Sequence, residues 1–156
     1  FQYTVYMITI PYTLLSLSSS IDQQTGNLSV FELVEEINTL QVPVLMQQLT
    51  LSIGLKKSEP KPFLGTMIIH MITPSNKVHK LGATEVKMES TSRKSSRTVV
   101  KFSNFPINEE GKTRFVVSLL DSENKKVAEG ISDLEVIKVE NQDKHFLPKE
   151  QRVRIW

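Results

Sequence analysis

Between residues 45 and 55 the chain alternates with a period of two. Leu45, Leu49, Leu51, Ile53 and Leu55 fall on one side, Met46, Gln48, Thr50, Ser52 and Gly54 on the other, and only Gln47 interrupts the apolar row. Successive side chains of an extended strand point to opposite faces. The pattern therefore predicts a half-buried antiparallel strand, with its leucines on a core and its hydroxyl row in solvent. Pro43 precedes it, and a polar stretch with Pro60 and Pro62 follows it.

The same grammar recurs along the chain. Residues 3–10 are rich in β-branched and aromatic types, and Leu15, Leu17 and Ile21 alternate with Ser16, Ser18 and Ser20. Residues 65–73 are apolar on both faces, as a central strand requires, and Val86 and Met88 alternate with Glu85, Lys87 and Glu89. Residues 98–102, 113–120 and 134–139 complete the set. Turn chemistry separates them: 22–27 with Gly26 and Asn27, 74–77, 108–111 with Gly111, and 121–124. Eight or nine short strands with such punctuation predict an all-β antiparallel sandwich, Ig-like or C2-like, and no βαβ alternation suggests a parallel nucleotide-binding sheet.

One segment carries two signals. Ser29-Val30-Phe31-Glu32 is a capping-box pattern, and Val30, Leu33, Val34 and Ile37 stand at helical spacing, which would give a short helix over 30–38. Against it, residues 28–33 follow a Gly-Asn turn directly and would pair as a hairpin with residues 14–21. The hairpin is the preferred reading.

Residues 1–21 carry no charge, since Asp22 is the first charged residue. They lack the basic start of a signal peptide, and Pro11 and four serines dilute them below a membrane span, so one or two buried strands parted at Pro11 are expected. A first residue of Phe1 rather than Met suggests a fragment or trimmed chain. The organisation expected is one sandwich domain over 1–140 and a tail or edge strand over 141–156.

Composition argues functions down. There is no Cys, which excludes disulfides, Cys-based metal sites and thiol nucleophiles, and the three His show no metal-ligand spacing. Neither a Gly-x-Ser-x-Gly elbow nor a Gly-rich phosphate loop is present. Glu35-Glu36, Glu109-Glu110 and the Asp133/Glu135 pair read as solvated charge, and His70, among Ile68, Ile69, Met71 and Ile72, reads as structural. No catalytic residue, metal or cofactor is expected. A net charge of +2, from 19 basic and 17 acidic residues, is too balanced to announce a polyanion partner.

Two stretches remain as candidate surfaces. Residues 91–101 set Arg93, Lys94, Arg97 and Lys101 among hydroxyl residues, a composition suited to gripping an anion. The tail ends in Arg152, Arg154 and Trp156, with cations alternating with apolar residues as in a strand that could add to a neighbouring sheet.

The stretch over 18–37 resembles the opening of a family of small bacterial proteins of unknown function, on Asp22, Gly26, Asn27, Leu28, Ser29 and Pro43. Residues 105–117, with Phe105-Pro106 and the Asn108-Glu109-Glu110-Gly111 turn, resemble that family's penultimate hairpin. The resemblance implies a β-sandwich and supplies no catalytic residues. The expected function is a non-enzymatic interaction module, acting on a protein partner or a second copy through a sheet edge or the tail. The alternative is an anionic-ligand or nucleic-acid-binding module using Arg93, Lys94, Arg97 and Lys101. Cytoplasmic residence fits the absence of Cys and of a signal, with secretion left open.

Overall fold

The computed structural model describes residues 8–89, 92 and 94–140. Among these the strands are β1 (Ile8–Ile21), β2 (Leu28–Leu33), β3 (Glu36–Thr39), β4 (Val44–Lys57), β5 (Phe63–Ile72), β6 (Val78–Met88), β7 (Ser95–Ile107), β8 (Gly111–Asp121) and β9 (Lys126–Lys138). They form a four-stranded sheet in the order β2-β1-β4-β7 and a five-stranded sheet in the order β3-β9-β8-β5-β6. Described ladders are antiparallel except that β3 runs parallel to β9, from Glu36 opposite Glu135 to Thr39 opposite Lys138. The molecule is the all-β sandwich that the alternation predicts.

Between the sheets lie Leu49, Leu51, Ile53 and Leu55 of β4, Leu15 of β1, Met67 and Ile69 of β5, Phe115, Val117 and Leu119 of β8, and Leu134 and Val136 of β9. Burying each Leu, Ile or Phe contributes about 1.5–3 kcal/mol. Phe105 and Phe115 meet across the core with ring centroids 5.8 Å apart. Turn carboxylates set the hairpin ends. Asp22 Oδ1 accepts the amides of Gln24 and Thr25, each at 2.8 Å, and Asp121 Oδ1 accepts those of Glu123 and Lys125, each at 2.9 Å.

The structure departs from the sequence reading in several places. β4 is not half-buried: Thr50 and Ser52 are as inaccessible as the leucines. β4 lies between β1 and β7, with Leu14 and Val99 opposite Ser52, and the Thr50 hydroxyl donates to the Leu17 carbonyl at 3.4 Å. Its alternation also changes phase. Gln47 and Gln48 are both exposed, Val44 and Met46 pack on the core, and Leu45 is 57% exposed. By register Gln47 faces Asn104, whose positive φ of 52° turns β7 over at the same point and brings Phe105 and Ile107 inward.

No helix occupies 30–38. β2 pairs with β1, Phe31 opposite Ser18 and Ser29 opposite Ser20, so ladder bonds satisfy a backbone that the capping box would have satisfied helically. Glu32, at φ 57°, is also outside helical space. Nor does Pro11 divide the first strand. β1 runs through it with a register shift between Thr9 and Tyr12, where a residue without an N–H costs no ladder bond. Residues 3–7 of the expected first strand lie outside the described residues.

Candidate functional site

The outer face of the four-stranded sheet carries a row in which Tyr12 pairs with Gly54 and Gly54 with Arg97. One period along, Lys56 pairs with Ser95. The period of two places Tyr12, Lys56, Ser95 and Arg97 on one face at one end of the sheet. Gly54 makes the row possible, because ring atoms of Tyr12 lie 2.3–2.7 Å from where a Cβ would stand. The ring is seated on bare backbone.

These side chains, with Ser96 of β7 and with Thr25 and Gly26 of the β1–β2 turn, line a cleft of about 490 Å³. Tyr12 and Arg97 are half-buried and Lys56 is exposed. No Asp or Glu is among its described lining residues. The nearby turn acid Asp22 is engaged at home. The backbone amide of Thr25, then that of Gln24 and the Thr25 hydroxyl, hold its carboxyl below the usual carboxylate range.

Below Lys56 the alternation turns Lys57 inward, where it is fully buried. Its ammonium donates to the carbonyls of Lys61 at 2.9 Å and Met88 at 3.5 Å, and its amide donates to the Lys94 carbonyl at 2.7 Å. These bonds pin the end of β4 to the entry of β7 and to β6, which fixes the cleft's floor.

Of the sequence-derived cations among the described residues, the structure brings only Arg97 into the cleft. Lys94 is exposed just before β7, and Lys101 is exposed opposite Thr50, two further outward positions along the strand. Arg93 lies outside the described residues, as do Arg152, Arg154 and Trp156. Arg97 and Lys101 stand on an edge strand, since β7 starts at Ser95 and ends the four-stranded sheet. Sequence reasoning missed Tyr12 and Lys56. Lys56 ends the alternation of β4 on its polar side, but nothing local ties it to Arg97, which β-pairing brings beside it.

At the other end of β7 a smaller cleft of about 250 Å³ is lined by His79, Lys77, Glu109, Met71 and Pro106, among others. The Ser75 hydroxyl, helped by Thr73 and Lys77, holds the Glu109 carboxyl below its usual range. Glu109 thus faces the hydroxyls of the 73–77 turn. Asp133 forks onto Arg114, with Oδ1 2.9 Å from Nε and Oδ2 3.3 Å from the guanidinium end. Among the described residues no three His, Asp or Glu side chains gather to hold a metal, and no helix is long and apolar enough to cross a membrane.

No family model matches the sequence, and no curated protein matches it. Solved structures do match in fold. A glycosyl hydrolase family 2 member from Bacteroides cellulosilyticus aligns over 82% of this chain and 15% of its own, at 9% identity and a TM-score of 0.51. A β-glucosidase from Listeria innocua aligns over 83% of this chain and 17% of its own, at 13% identity and a TM-score of 0.45. The chain therefore spans a small part of these enzymes' length, and what it shares with the family 2 member is the fold alone.

Proposed function

We propose that this chain is a non-catalytic interaction module whose contact element is the β1–β2 hairpin. The carrying observation is the character of its edge strands. β7 bears Arg97, Lys101 and Pro106, β6 bears Lys80 and Lys87, and β3 is four residues long. Charge, proline and shortness are the devices that keep sheet edges from pairing. β2 (LSVFEL) has no Lys, Arg or Pro and a single charge, Glu32, and it presents Phe31 at 50% and Leu33 at 55% exposure. Their cross-strand neighbours, Ser18 and Ser16, are too short to cover them. A strand added beside β2 would take up its free backbone groups and shelter both apolar side chains.

The partner to test first is a second copy, because antiparallel β2–β2 pairing is self-complementary and closes a two-fold dimer. Sedimentation velocity from micromolar to millimolar protein is expected to show a dimer that Phe31→Lys abolishes while the fold stays intact. A monomer over the whole range would sink the self-pairing form of the idea. Removing residues 151–156, with Arg152, Arg154 and Trp156, separates the tail's share in that association. The non-catalytic reading draws support from carboxylates committed elsewhere, Asp133 to Arg114 and Glu109 to Ser75.

A further inference from the structure

We infer that the cleft bounded by Tyr12, Lys56 and Arg97 binds a phosphate monoester of a ring-bearing small molecule, with a nucleoside monophosphate as the type. The cleft shares the β1–β2 turn, through Thr25 and Gly26, with the hairpin contact, but its charged and aromatic groups, Tyr12, Lys56 and Arg97, lie outside β2.

Three observations point the same way. First, Lys56 and Arg97 occupy diagonal positions on adjacent strands, where side chains of this length meet, and no described acidic residue lines the cleft beside them. Like charges so placed repel, and a dianionic phosphoryl group between them converts that repulsion into two attractions. Arginine supplies a planar fork for two phosphate oxygens and lysine a point charge, while the hydroxyl of Ser95, on the same face, offers a further donor beside them.

Second, the row across the sheet ends in an aromatic ring. Tyr12 is held on Gly54, directly across from Arg97, so a ring attached to the phosphate has a flat apolar surface to lie against. Third, about 490 Å³ is within the range of small-ligand sites, roughly 300–1,000 Å³. A strand of nucleic acid fits less well. Among the described lining residues only one is aromatic, which gives no platform for successive bases, and the chain's charge is nearly balanced.

The test is an amide NMR titration of the whole chain with adenosine 5′-monophosphate, adenosine and inorganic phosphate in parallel. The expected result is a saturable shift confined to Tyr12, residues 25–26, residues 54–56 and residues 95–97, with the monophosphate binding more tightly than either fragment. Arg97→Gln and Lys56→Gln are each expected to weaken it about tenfold or more, and Lys101→Gln, outside the cleft, by less than about twofold. All three positions are at least partly open to solvent, so retained peak dispersion verifies the fold. No saturable shift, or equal weakening by Lys101→Gln, would overturn the site. Inorganic phosphate binding as tightly as the monophosphate would overturn the ring. An oligothymidylate that binds more tightly and spreads its shifts along β7 to Lys101 would replace the small ligand with nucleic acid.

Discussion

Gly26 and Gly54 show how one residue type answers two different demands. Gly26 has φ +74° and nothing within 4 Å of where a Cβ would stand, so Gly26→Ala meets strain but no clash. A loss of about 0.5–1 kcal/mol is expected, with Gly26→Asn milder because Asn tolerates the left-handed region. At Gly54 the backbone is ordinary and the space is taken by Tyr12. Gly54→Ala must push the ring aside, at about 1–3 kcal/mol, and it should also perturb Arg97 resonances while Gly26→Ala does not. Thermal unfolding of the pair, with spectra of both, checks the contrast. Asp22 adds a pH-dependent term at the same scale. Its folded-state carboxyl is depressed, so the stability it contributes is present above the unfolded value near 3.8 and is lost as pH falls through the lower folded value. Asp22→Ala should therefore lower the melting temperature at neutral pH, with the gap from wild type closing under strong acid. The sequence shows Gly26 and Asp22 plainly as turn residues. It cannot show why residue 54 is glycine, because the reason is a ring from another strand.

Element by element, the legible parts are those with local causes. The 22–27 turn and the hairpin it closes, and the run of β5 between β8 and β6, follow from turn chemistry and from which faces are apolar. The phase of β4 does not. The alternation puts Leu45 inward, whereas the ladder with β7 flips at Gln47 and Asn104, leaving Leu45 in solvent and Met46 on the core. Leu45→Ser is accordingly expected to change stability by less than about 0.5 kcal/mol and Met46→Ser to cost about 1–2 kcal/mol, as measured by urea unfolding. Equal costs at the two positions would contradict the flip. Lys57 makes the same point with charge. Its neighbour Lys56 has the same composition signal, yet Lys57 is buried with its ammonium on two carbonyls and Lys56 lines the cleft. Lys57→Met leaves those acceptors without their donor, and a loss of about 1–3 kcal/mol is expected.

At the scale of the molecule, position in the sheet order sets protection. β4 and β8 each have a strand on both sides, while β2, of six residues, and β3, of four, sit at edges. Hydrogen exchange should find the slowest amides in β4 and β8 and the fastest strand amides in β2 and β3. The chain by itself determined the class, an all-β sandwich with its turns in place, because period-two alternation and turn residues act over a few neighbours. It also determined the identity of most of the core, since Leu49, Leu51, Ile53 and Phe115 have no polar atoms to satisfy. Only the tertiary structure decided that β3 joins β9 in parallel, that the hydroxyl row of β4 is buried, and that Tyr12, Lys56 and Arg97 share one cleft. Those outcomes depend on which strands become neighbours, and that choice is made by packing two sheets against each other, a non-local balance that no local stretch of sequence encodes.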